Sequence, residues 1–296
     1  MEDADLTEMT LPEPQGRVLF IAGSDSSGGA GIQADIKTCA AFGAYSMTAI
    51  TAVTAQNTQG VRRVDVLDPA LVADQIAACM DDIGGDVVKI GMLGNLAVME
   101  AVAQALEGPL ADCLSVLDPV MVATSGDRLL EEDAVGFMRD TLLPLADIVT
   151  PNVPEAALLT GIDVADSDTL REAGDKLLEM GAGAAVMKGG HLKGQMVIDL
   201  LLTPDGVATM TAPRLKSKNT HGTGCTLASA IAANMALGAD IGEAVSIARE
   251  FVFEAIRTAP SLGQGNGPLN HGLAMQQEEA DASANPFAAL KALKNE

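Results

Sequence analysis

Short apolar runs that stop at a glycine, an aspartate or a lysine, and then give way to helical patterns, recur along most of this chain. Arg17 to Ala22 is the first, followed by the loop Gly23–Gly29 and a helical pattern over 30–41. Tyr45 to Ala52 and Val61 to Leu67 read as the next strands, and Pro69 opens a helix to about Ile83. Strand patterns at 86–91, 113–117, 147–149 and 184–187 then alternate with helical ones at 95–106, 131–142, 154–159 and 168–180. Residues 196–202 and 206–211 flank Thr203-Pro204-Asp205-Gly206, a strong turn signal, and predict a hairpin. Two long helices follow, near 222–237 and 241–257. This alternation predicts an α/β fold with a mostly parallel central sheet and helices on both faces. Ligands bind such sheets beyond the C-terminal strand ends. Gly23, Gly91, Asp118, Thr150 and Lys188 all fall at such ends, so they are expected on one rim.

The 296 residues allow one large α/β domain, expected over 17–272. Residues 1–16 read as an acidic extension and 273–296 as a tail, with a short docking helix predicted near Phe287. Aromatics make up 2% and tryptophan is absent, so the core must be aliphatic and stacking platforms for nucleic acid are not expected. The net charge of −22 argues against nucleic acid and anionic membranes as partners. The four cysteines show no CxxC spacing, so no structural zinc site is proposed. Met1 to Pro14 carries acids and no base, unlike a targeting signal, and a soluble cytoplasmic protein is expected.

The sharpest local feature is Asn219-Thr220-His221-Gly222-Thr223-Gly224-Cys225, set directly before an apolar helical stretch. Glycines there leave the first helical N–H groups uncovered, and the helix dipole points its positive end at them. This is an anion hole for a phosphoryl group in transfer. Cys225 at the same helix start is expected to have a depressed pKa. A glycine-rich turn alone is more often only a flexible helix entry, so the rest of the chain must carry the argument.

The first loop is not a nucleotide P-loop, because Gly29 stands where the lysine would follow Gly28. It reads better as part of a substrate pocket. Asp35, one turn past Gly31, reads by itself equally well as an ordinary exposed helix carboxylate or as a site residue. Gln56 carries a donor and an acceptor that suit an amino group beside a ring nitrogen. Asn152 and Glu155 have the spacing of a capping box, and with Asp118 they also offer oxygens for Mg²⁺ and its waters. Lys188-Gly189-Gly190 sets a cation beside bare backbone, suited to nucleotide phosphates.

Taken in order, Ala22–Asp35, Thr54–Thr58, Lys89–Met92, Asp118–Met121, Thr150–Glu155, Met187–His191 and Asn219–Cys225 resemble the bacterial hydroxymethylpyrimidine/phosphomethylpyrimidine kinases, of the ribokinase-like superfamily, over about Arg17 to Gly272. The resemblance implies a ribokinase-like fold and an enzyme of thiamine synthesis. Such an enzyme uses ATP and Mg²⁺ to phosphorylate hydroxymethylpyrimidine and then its monophosphate. It implies that Gln56 and Asp35 hold the pyrimidine, with Gly23 and Met92 lining the pocket. Gly222, Thr223, Gly224 and Cys225 would form the anion hole, Asp118 and Glu155 would hold the metal, and Lys188, Asn152 and Glu155 would serve the nucleotide. It also implies a homodimer. Many superfamily members carry an aspartate base where this chain has Cys225. A thiolate there would serve the first phosphorylation more than the second, whose nucleophile is already ionised. Two alternatives stand beside this reading: a pyridoxal or pyridoxine kinase on the same scaffold, and a non-catalytic pyrimidine-binding protein.

Overall fold

A computed structural model of the chain describes residues 16–121 and 132–272. All nine described strands join one sheet, in the order β3-β2-β1-β4-β5-β6-β7-β8-β9. They are β1 (Arg17–Asp25), β2 (Tyr45–Asn57), β3 (Gly60–Val66), β4 (Val87–Ile90), β5 (Leu114–Leu117), β6 (Ile148–Val149), β7 (Ala184–Met187), β8 (Met196–Thr203) and β9 (Gly206–Pro213). The six from β2 to β7 pair in parallel, and antiparallel pairs close both edges, β2 with β3 on one side and β7-β8-β9 on the other. The mostly parallel α/β sheet expected from the alternation is therefore present.

The helices are α1 (Gly31–Ala41), α2 (Pro69–Asp82), α3 (Leu96–Leu106), α4 (Glu132–Phe137), α5 (Val153–Thr160), α6 (Ser167–Glu179), α7 (Thr223–Ala236) and α8 (Ile241–Arg257). Side chains of a strand alternate between faces, and β1 shows both cores. Leu19 and Ile21 pack with α2 and α3, while Val18 and Phe20 pack with α7 and α8. The same parity runs across the sheet. Lys89 on β4 is in register with Val116 on β5, which lies on the α7 side. Two residues beyond Val116, Asp118 points the same way. Lys188 follows Ala184 and Val186, also on that side. Register alone thus aims Lys89, Asp118 and Lys188 at the start of α7.

Some boundaries depart from the sequence reading. β1 and β2 run on to Asp25 and Asn57, so Gln56 lies in a strand rather than a loop. The helix expected over 131–142 is α4 followed by one π turn (Met138–Leu142) and a 3₁₀ turn (Leu143–Leu145). Pro144 has no N–H to continue an α ladder, and the backbone regroups around it. The acidic extension other than Gly16, the tail after Gly272 and the helix expected near Phe287 lie outside the described residues. No described helix is long and apolar enough to cross a membrane.

Candidate active site

Helix α7 begins without a side-chain cap, because its N-cap is Gly222 at φ 83°. That left-handed conformation favours glycine, and a Cβ there would also overlap the Gly29 carbonyl oxygen. The first loop is therefore seated on the start of α7. Gly224 matters for closeness: a Cβ on it would stand 3.2 Å from Lys188 Nζ and 3.5 Å from Asp118 Oδ2. The open first turn and the charged strand ends thus meet at one point.

That point lies in a cavity of about 670 Å³ at the C-terminal ends of the parallel strands. Gly23, Gln56, Met92, Asp118, Asn152, Glu155, Lys188 and the whole Gly222–Cys225 turn line it. Asp35 does not. It is fully buried behind the wall on α1, where its Oδ1 accepts from Lys89 Nζ at 3.0 Å and Ser229 Oγ at 2.6 Å. The exposed carboxylate that its sequence context suggests is absent, and so is a direct hold on a ligand in the cavity. Lys89, itself fully buried, claims it as a counter-ion. Burial pushes the Asp35 carboxyl up, while Lys89 and Ser229 pull it back.

At the ends of β5 and β7, Lys188 Nζ donates to Asp118 Oδ1 at 2.9 Å and stands 4.0 Å from Glu155 Oε2. Burial disfavours the Lys188 ammonium, but Asp118 and Glu155 outweigh it and raise its pKa. The capping box is formed: Asn152 Oδ1 accepts from Glu155 N at 3.0 Å, and Glu155 Oε2 accepts from Asn152 N at 2.8 Å. Burial raises the Glu155 carboxyl to about 7. Cap and charged site are one structure, as their spacing allowed.

Cys225 departs from expectation. Burial pushes its thiol up to about 11; Lys89 and the Gly31 N–H favour the thiolate, but Asp35 and Asp118 oppose it. Desolvation outweighs Lys89 and the Gly31 N–H here, so the thiol is held above its ordinary value rather than below it.

Beyond Lys188 the cavity wall is largely apolar, with Val197, Pro213, Leu215, Val252, Phe253 and Ile256, and Asp199, Arg214 and Arg249 also line it. The sequence reading missed this slot. Its one flag was Phe253, an aromatic in a chain with few. Two more missed residues fasten the loop after β7. Arg214 donates to the carbonyls of Gly194, Gly190 and Leu192 at 2.9, 2.6 and 2.6 Å. Asp199 accepts from Gly189 N and Arg249 Nε, both at 2.8 Å.

At the opposite end stand Gln56, His221 and Asp25. Asp25 was only part of a motif in the sequence, yet it organises the first loop. Its Oδ1 accepts from Ser27 N and Ser27 Oγ, and its Oδ2 from Gly29 N and Ala30 N. His221 Nε2 lies 2.8 Å from the same Oδ2. Gly23 and Met92 form a side wall, Met92 being fixed by Thr51 Oγ1, which donates to its carbonyl at 2.6 Å. One cavity therefore has a polar end, an apolar end and the uncapped start of α7 between them.

Comparison with known proteins agrees with this geometry. The family profile of phosphomethylpyrimidine kinase matches residues 25–270. A hydroxymethylpyrimidine/phosphomethylpyrimidine kinase of Rhizobium meliloti is 48% identical over 258 residues, covering 86% of this chain and 96% of that protein. The thiamine biosynthesis bifunctional protein of Geobacter sulfurreducens is 46% identical over 93% of this chain, which spans only 56% of its length. Among solved structures, the ADP complex of Bacillus subtilis pyridoxal kinase aligns with TM-score 0.82 and 36% identity, over 88% of this chain and 98% of that one. A phosphomethylpyrimidine kinase from Clostridium difficile aligns with TM-score 0.73 and 41% identity, over 81% and 99%.

Proposed function

Since the chain belongs to the phosphomethylpyrimidine kinase family, we propose that it uses ATP to phosphorylate hydroxymethylpyrimidine, and then that monophosphate to the diphosphate, in thiamine biosynthesis. The observation that carries this reading is the two-ended cavity. An amide-bearing polar end and an apolar slot face each other across the uncapped start of α7.

The chemistry follows from that layout. The apolar slot suits the adenine base, placing the triphosphate along Lys188 and the start of α7. The pyrimidine end directs the ring's CH₂OH toward the same turn. The substrate oxygen bonds to the γ-phosphorus as the bond from that phosphorus to the β-phosphate oxygen breaks, ADP leaves, and the hydroxyl proton passes late to a phosphoryl oxygen or to water. Charge on the transferring group falls on the N–H groups of Gly224 and Cys225, which need no reorganisation to receive it. The transition state is loose and needs little help from a base. A Cys225 thiol held near 11 is suited to lining the hole, not to removing a proton. In the second phosphorylation the nucleophile is a phosphate oxygen.

The residues also fit Mg²⁺. No cluster of three metal-ligating side chains exists among the described residues, but Mg²⁺ bound with nucleotide commonly takes only one or two carboxylates, with waters and phosphates completing its shell. Asp118 and Glu155, with Asn152 beside them, are the residues that would hold it, and when bound it offsets phosphate charge. The proposal extends to a homodimer working in the cytoplasm; sedimentation of the purified chain tests the assembly.

Pyridoxal kinases among the structural neighbours support a second substrate reading on the same scaffold. A panel of hydroxymethylpyrimidine, its monophosphate and pyridoxal decides between them by which product forms.

A further inference from the structure

The Gln56 amide spans two neighbours, His221 Nε2 at 3.4 Å and Thr54 Oγ1 at 3.2 Å. Which end carries the oxygen follows from the protons those neighbours have to give. Asp25 is buried, and although burial acts to raise its pKa, the bonds from His221 and Ser27 outweigh it and hold the carboxyl at about 2. An ionised carboxylate only accepts, so the proton in the 2.8 Å contact belongs to His221 Nε2. With that proton in place, Nε2 has no lone pair for an amide N–H. An NH₂ group facing it would set donor against donor.

Thr54 reaches the same answer independently. Its Oγ1 lies 3.0 Å from the Ser24 carbonyl oxygen, which can only accept, so the single hydroxyl proton points there. What Oγ1 turns toward Gln56 is a lone pair, and that calls for a donor.

We infer that Asp25 and His221 are specificity-determining positioning residues, which together with Thr54 lock the Gln56 amide with its oxygen toward His221 and its NH₂ toward Thr54. This is a half-turn of the amide from its placement here. The inference rests on the pyrimidine reading above. In this orientation the amide offers the cavity one N–H on the Thr54 side and one oxygen lone pair on the His221 side. A ring nitrogen beside an exocyclic amine matches that pair, with the amine on the His221 side. An oxo ring presents the opposite order, N–H beside C=O, and would bind well only if the amide turned over. A free glutamine turns over easily; one whose NH₂ is refused by His221 and accepted by Thr54 does not. The lock therefore converts a tolerant amide into a reader of amine against oxo.

The test compares kcat/KM for hydroxymethylpyrimidine and for its analogue with oxygen in place of the exocyclic amine. The wild-type enzyme is expected to prefer the amine by roughly 100-fold or more, as sites built to pair a polar group do. His221→Phe leaves Asp25 its bonds to Ser27, Gly29 and Ala30, so the first loop keeps its own donors. This variant is expected to cut the preference at least tenfold, with the KM for ATP within about twofold of wild type. An unchanged preference, with both substrates weakened equally, would overturn the lock. ¹⁵N NMR of His221 in the wild-type protein needs no variant: a proton on Nε2 supports the inference and a bare Nε2 overturns it. If the wild-type enzyme phosphorylates neither pyrimidine, the functional reading fails, and the NMR result still judges the lock.

Discussion

Lys89 and Asp35 form an ion pair with no exposure on either side chain, beneath the floor of the cavity. Replacing Lys89 with Met keeps the stem's bulk and removes the charge. Asp35 would then be a buried carboxylate with only Ser229 Oγ donating to it, since its Oδ2 already has no partner. Removing one member of a buried pair costs about 3–5 kcal/mol, because the other is left uncompensated. For a domain of this size that is roughly 6–20 °C in Tm. The companion change Asp35→Asn strands Lys89 in the same way and should cost a similar amount. The double variant Lys89→Met/Asp35→Asn leaves no charge to desolvate and should be less destabilised than the sum of the two by about 2 kcal/mol or more. Urea unfolding at pH 7.5 of the four proteins, with equal m-values required, measures all three numbers. A loss under about 1 kcal/mol for Lys89→Met, or strict additivity in the double variant, would refute the claim that this pair exists to satisfy itself.

Cys225→Ala should reduce both phosphorylations by similar factors when the two steps are followed separately by product mass. A thiol near 11 would cost about 5 kcal/mol to ionise at pH 7, and a loss confined to the first step would show that it is nonetheless the base. Gly222→Ala should lower kcat by roughly 100-fold or more, because the side chain displaces the first loop from the anion hole; a folded variant with near-wild-type kcat contradicts this. Glu155 gives a pH signature of definite sign. Its carboxyl rises from 4.5 when unfolded to about 7 when folded, so the folded state binds more protons and stability falls as pH rises through that window. The loss is complete above 7 and amounts to about 3 kcal/mol at most. Glu155→Gln should flatten this part of the stability profile between pH 4.5 and 8 in urea unfolding, and an unchanged profile would assign the titration elsewhere.

The legible parts of this protein were those written in local pattern. Glycine, aspartate and lysine at strand ends marked the rim, and Asn152-x-x-Glu155 marked a cap that the fold indeed forms. The less legible parts depend on partners far apart in sequence. A lysine between Val88 and Ile90, in a strand buried on both faces, announces that it needs a counter-ion. Nothing local says that the counter-ion is Asp35, 54 residues earlier. The same holds for Asp25 and His221, 196 residues apart. The apolar slot joins Val197 of β8, Pro213 and Leu215 at and just past the end of β9, and Val252, Phe253 and Ile256 of α8, so no single segment's pattern announces it. Cys225 was misread for a related reason. A helix start is visible in sequence, whereas desolvation and the opposing charges of Asp35 and Asp118 come from tertiary packing.

The central claim is that one cavity joins ATP to an aminopyrimidine. The most direct measurement is ATP consumption by the purified protein with Mg²⁺ and hydroxymethylpyrimidine, its monophosphate or pyridoxal, with products resolved by mass. The account predicts pyrimidine diphosphate from both of the first two substrates. Pyridoxal phosphate as the sole product, or no turnover with any of the three, would contradict it.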